Sequence, residues 1–149
     1  MSGNYTADFN LWIEQTAQQL RSHHWHEIDV EHLIEEVEGL RKSERRDIAS
    51  QLTRLLLHLL KWQYQPQRRS DSWLDSITDS RTQIELAILD SPSLKNYPTE
   101  QLEESYQRTR RQAAKQTEIL ISVFPEECPY SLELVLDEDW LPEANLYLH

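Results

Sequence analysis

The sequence predicts an all-α protein: a compact bundle of about five main helices with a short C-terminal helical cap, in one domain over residues 1–149. Three observations lead there. Apolar side chains recur every three or four positions over five stretches, the spacing of a helix face. No long alternating apolar/polar run suggests a strand. Only Gly3 and Gly39 are glycines, too few for tight hairpins or phosphate-cradling loops, while six prolines punctuate the chain.

The first helix is expected over about residues 6–22. Phe9, Trp12, Ile13, Ala17 and Leu20 share one face, and Asn4 or Thr6 is placed to cap it. The second runs over about 29–41 from an Asp29 cap, with Leu33, Ile34, Val37 and Leu40 as its stripe. Ser43 can cap a third, over about 43–64. Its ridge of Ile48, Leu52, Leu55, Leu59 and Trp62, widened by Ala49, Leu56 and Leu60, marks it as central. Pro66 ends it, because proline disfavours helical geometry at the residue before it. A fourth helix starts near Asp71 or Ser72 and reaches about Leu89, burying Trp73, Ile77, Ile84 and Ile88. After the turn Asp90-Ser91-Pro92-Ser93, a fifth runs from Thr99 to about Leu120 with Leu102, Tyr106, Ala113 and Thr117 on one side. The tail carries Phe124-Pro125, a short helical turn after Ser131, and Trp140-Leu141-Pro142.

A chain of 149 residues can bury a sizeable core without disulfides or metal, and Cys128 is its single cysteine. Acidic neighbours argue against a reactive thiol there. No apolar run approaches the roughly 20 residues of a membrane span, and the N-terminus lacks a signal-peptide pattern, so a cytoplasmic location is expected. The net charge is −11, unevenly spread: −7 over residues 1–40, +6 over 41–69 and −10 over 70–149. The overall sign disfavours nucleic acid and anionic membranes as partners. Arg41, Lys42, Arg45 and Arg46 form a local basic exception, diluted by Glu44 and Asp47.

Chemistry-bearing side chains are densest between residues 58 and 81. His58, Lys61, Trp62, Arg68, Arg69, Ser72, Trp73 and Arg81 combine cations with aromatic rings around the Pro66 stop. Two readings fit. In one, arginines stack on indoles and pair with the protein's own carboxylates as a packing node. In the other, a rigid turn presents guanidinium groups and the first N–H groups of a helix to a small anion. His32 and Glu36 are i,i+4 neighbours that could share a metal, but no second such motif exists, so no metal or cofactor is assigned. Without a nucleophile or phosphate loop, no catalytic residue is assigned either. The expected role is a non-enzymatic interaction or regulatory module, with a protein partner or self-association. The alternative is a small-anion binder or enzyme built on the 58–81 cluster.

Several segments together carry a family resemblance: Tyr5-x-x-Asp8-Phe9-x-x-Trp12, the block from Leu55 through His58, Lys61 and Trp62 to Pro66, Arg69-x-x-Ser72-Trp73, Ser91-Pro92-Ser93-Leu94, and Phe124 through Cys128 to Tyr130. Over nearly its whole length the chain resembles domain-of-unknown-function family 29. The resemblance implies a small all-helical protein of cyanobacteria and some other bacteria, and carries no assigned activity. It also leads one to expect a Glu-Thr-Gly-Leu-type stretch near the end of the fifth helix, where this chain has Gln116-Thr117-Glu118-Ile119.

Overall fold

The computed structural model describes residues 3–145, and among these no strand occurs. Six α-helices follow in order: α1 Gly3–Ala7, α2 Phe9–Arg21, α3 Val30–Tyr64, α4 Asp71–Asp90, α5 Tyr97–Thr117 and α6 Leu132–Leu136. The chain divides into two compact units, residues 1–43 and 44–149.

In the first unit, the single helix expected over 6–22 is split. Asp8 accepts a hydrogen bond from the Leu11 N–H, so Asp8, not Asn4 or Thr6, caps α2. At its other end His23 enters the left-handed region at φ 59°, and the His24 and His23 N–H groups bond back to the Gln19 and Leu20 carbonyls. That is a Schellman ending built without glycine. Asp29 accepts from the His32 N–H and starts α3, as expected.

The second and third expected helices are one. α3 runs unbroken through Gly39 and Ser43. Nothing in Arg41-Lys42-Ser43 forbids helical geometry: no proline follows, and arginine and lysine are good helix formers. A serine can cap only where the chain leaves the helix, and here it does not.

The second unit holds the core. Leu52, Leu55, Leu56, Leu59 and Leu60 of α3 are wholly buried. They spread over much of the helix circumference, so α3 is enclosed on several sides. Around them pack Ile77 and Ile84 of α4, Tyr106 and Ala113 of α5, and Phe124, Tyr130 and Val135 from the tail. Tyr64 meets Phe124 edge-on at 4.9 Å. Pro66 ends α3 as expected; a single 3-10 turn, Pro66–Arg68, leads to Ser70, which caps α4 by accepting from the Trp73 N–H. α5 starts two residues before the expected Thr99 cap, with Pro98 in its first turn, where a missing N–H costs nothing. Ser131 caps α6 through the Leu134 N–H, as expected.

Glu118, which ends α5, sits at φ 62°, in the left-handed region. This is the position where the family pattern leads one to expect glycine, the residue for which that conformation is free of a Cβ clash. Gly39, by contrast, lies inside α3, and an added Cβ would meet nothing within 4 Å. Opposite exchanges at the two sites therefore act in the same direction. Glu118→Gly and Gly39→Ala should each raise the unfolding free energy by about 0.5–1 kcal/mol. Thermal denaturation followed at 222 nm would show it; a lower melting temperature for either variant would contradict the backbone account.

Candidate functional site

The 58–81 cluster is built by the end of α3, the turn over Pro66–Arg68 and the start of α4. His58 is half-buried, and its Nδ1–H donates to the Arg54 carbonyl at 2.8 Å. Burial pushes its imidazole below the ordinary 6.5, with Lys61 and Arg54 adding to the effect and the hydrogen bond opposing it. The Lys61 ammonium stands 5.8 Å from the centre of the Trp73 ring, and burial lowers its pKa.

Arg69 folds back over α3. Its Nε–H donates to the Trp62 carbonyl at 2.9 Å, and its guanidinium lies 4.6 Å above the Trp62 ring. The carbonyl is one of those that the end of α3 leaves without an intrahelical partner, so Arg69 acts as a C-terminal cap. One Nη2 of Arg69 is enclosed and has no hydrogen-bond partner among the described residues. Arg81, on the inner side of α4, is only 8% exposed. Its Nε donates to the Val135 carbonyl and its Nη2 to the Trp140 carbonyl, both at 2.8 Å. Burial lowers its pKa, and Asp137 and Glu138 offset part of that.

The eight residues do not converge. Arg68 is exposed beside a cavity that also borders Thr117 and Leu120, whereas Arg81 lines a different one with Thr78 and Glu138. Ser72 is exposed on the first turn of α4. Trp62–Arg69 and Lys61–Trp73 form two separate cation–aromatic pairs. The cations mostly bind backbone carbonyls and rings. Among the described residues, the one carboxylate ion pair near the cluster belongs to Arg54, which meets Asp79 at 2.6 Å and holds that carboxyl below its usual 3.8.

One further feature escaped the spacing of the sequence. A groove of about 670 Å³ between α3 and α5 is lined by Arg46, Arg54 and Arg108 together with Tyr97, Gln101 and Glu104. Its cations come from distant parts of the sequence, so no local motif announces it. Cys128 is half-buried with its thiol pushed up to about 11, chiefly by burial, and so is a poor nucleophile. His32 and Glu36 take separate partners: His32 Nδ1 meets Asp29 at 2.6 Å, and Glu36 accepts from the Tyr5 hydroxyl. Among the described residues no group of three or more His, Cys, Asp or Glu side chains is placed to hold a metal ion. Nor is any described helix long and apolar enough to cross a membrane.

Partner accounting ranks the arginines. Arg81→Met should lower the unfolding free energy by about 3 kcal/mol, because it leaves two tail carbonyls without their charged donor. Arg69→Ala should cost about 1 kcal/mol, and the exposed Arg68→Ala should stay within about 0.5 kcal/mol. Urea denaturation gives the order; an Arg81 variant as stable as the Arg68 variant would refute it. Acid sensitivity follows from His58. Its folded pKa lies below the unfolded value of 6.5, so the folded chain binds fewer protons in that window. Stability is fully present above pH 6.5 and is lost as pH falls through the folded pKa. His58→Gln, which keeps a donor for Arg54, should flatten the urea midpoint between about pH 7 and 5. An unchanged slope would place the dependence elsewhere.

No curated protein and no solved structure matches the chain. A family model does, over residues 4–141, nearly the whole of it, and that model is described only as a domain of unknown function. Helices α2 to α6, the Pro66 stop and the caps of α4 and α6 described above all lie within the matched span, and the chain belongs to the domain-of-unknown-function family DUF29.

Proposed function

We propose that this chain is a non-enzymatic interaction module whose association surface is an apolar face of its first unit. One observation carries this reading. In that unit, among the described residues, Trp12 is the only large hydrophobic that is buried. The stripes expected to face a core lie open instead. Phe9, Ile13 and Leu20 on α2 are exposed, and so are Val30, Ile34, Val37 and Leu40 on α3, with Val37 at 58% and Leu40 at 72%. Between the two helices runs a groove of about 390 Å³ whose walls include Trp12, Ala17 and Leu33. Single exposed apolar residues are ordinary, but a contiguous apolar face on two adjacent helices marks a contact surface.

Tyr5 links the two helices. Tyr5 stacks on His32 at 3.9 Å, meets Trp12 edge-on at 4.9 Å and donates its hydroxyl to Glu36. The Glu36 and Glu35 carboxylates, with some burial, push the tyrosine pKa up to about 12. The helices thus present the face as a fixed template for other helices, the recognition mode in which apolar ridges fill a groove. The low reactivity of Cys128 and the net charge of −11 support a role without catalysis or nucleic-acid binding. A single domain, a bacterial source and a cytoplasmic location belong to the same proposal.

Photocrosslinking in the expressing cell tests it. The photoreactive residue p-benzoylphenylalanine placed at Leu40 should give a discrete higher-mass adduct on irradiation, and the same residue at the exposed Ser93 should not. Identical patterns from both positions would refute the assignment.

A further inference from the structure

We infer that the occupant of this face is a second copy of the same chain, its α2 and the start of its α3 packing on their counterparts about a twofold axis. The inference rests on the reading of the face as an association surface and names its partner.

The first argument is the shape of the missing part. Each of the two helices carries an apolar stripe about 100° wide or more, the width with which a surface helix faces a core. Two such helices alone can cover only the edge where they meet, and here that edge buries Trp12 and Thr16 and little else. What completes it is another pair of helices of similar length with stripes of similar width. A second copy supplies such a pair, and twofold symmetry makes one face complementary to itself.

The second argument is area. At their observed exposures the seven open side chains present on the order of 600–700 Å² of surface, against about 800 Å² that each partner gives to a standard interface. A polar rim supplies the difference, so the face matches an interface of ordinary size. One short peptide helix would leave part of it uncovered.

The third argument is charge. Residues 1–40 carry −7, which favours a basic partner at long range. Yet the carboxylates are not on the face. At 100° per residue, Glu31, Glu35 and Glu38 fall roughly 100–160° round α3 from the middle of its stripe, and Glu14 lies similarly far round α2. Only Glu36 reaches the groove wall, and its carboxylate is taken by Tyr5. A basic helix would find little to pair with at close range. Two like copies would repel only through exposed charges, screened over about 8 Å at physiological ionic strength. Association should therefore strengthen with added salt, the opposite of what a basic partner would show.

Sedimentation velocity on the full chain, from about 1 to 100 μM, decides it. The expected result is a concentration-dependent dimer whose dissociation constant falls several-fold between about 20 and 500 mM NaCl. Ile13→Glu and Leu40→Glu, each on an exposed position, should make it monomeric with unchanged circular dichroism, and Ser93→Glu should not. A dimer that persists in both face variants, or one that salt dissociates, overturns the inference. So does a monomer at 100 μM. In that case an adduct of another mass from the Leu40 photocrosslink leaves the association surface standing with a different partner. A monomer with no adduct removes both.

Discussion

Between Thr117 and Asn145 the described chain contains one five-residue α-helix and one 3-10 turn, Ile121–Val123, and otherwise winds irregularly over the core. Such a stretch satisfies only some of its own carbonyls, and burying the others unpaired would cost about 1–3 kcal/mol each. The helices solve this with long donors. Arg81 holds Val135 and Trp140; Arg110 holds Ile121 and Phe124; the Tyr106 hydroxyl donates to Pro125, and Gln107 donates to Glu126. Gln63 contributes both its parts: its side chain accepts from Tyr130, its carbonyl from the Asn145 N–H. The tail's apolar side chains can then close over α3, and with Phe124, Tyr130 and Val135 in place the leucine ridge is fully enclosed. Polar pairing is what allows the apolar packing here, because without it the tail could not approach.

The same accounting explains why the most conspicuous part of the sequence makes so little of a pocket. A run of cations and indoles around a proline stop suggests anion recognition when read along the chain. In space most of these groups have a nearer task. Arg69 caps the carbonyl that Pro66 helps to orphan, Arg81 binds the tail, Lys61 stands over Trp73, and Ser70 takes the Trp73 N–H at the start of α4. A guanidinium is suited to this duty, since it stays charged when half-buried and spreads its donors in a plane.

Much of the fold was legible in residue spacing because its causes are local. Pro66 stops a helix because it follows the last turn and brings no N–H for the Trp62 carbonyl, Ser131 and Asp29 cap because a free N–H lies within reach, and the Leu52-to-Leu60 ridge is wide enough to demand enclosure. Errors arose where the cause is not local. A serine after two basic residues looks like a start, but capping is decided by whether the backbone leaves the helix, and at Ser43 it continues. Glu118 gives no sign of its left-handed backbone, because the α5 ending is fixed by the Glu118 N–H bond to the Ala114 carbonyl and not by the side chain. The 58–81 cations stand together in the sequence, but the partners of Arg81 lie as far off as Val135 and Trp140, beyond any local pattern. The Arg46, Arg54 and Arg108 groove was invisible for the same reason.

The most instructive difference concerns the stripes of α2 and early α3. Periodicity reports that a face is apolar; it does not report which molecule covers it. In the second unit, the stripes of α3, α4 and α5 meet each other and a tail whose carbonyls accept from helix side chains, and the core is complete. In the first unit the same kind of stripe meets open space, with Leu40 more exposed than any described large hydrophobic except Leu120. A chain that spends its arginines, tyrosines and one whole tail on sealing one core could seal the other only with further helices, and the first unit has none to spare. The asymmetry is therefore not a failure of the sequence to encode a fold. It leaves an open apolar stripe on each of two helices that Tyr5 bridges through Trp12 and His32.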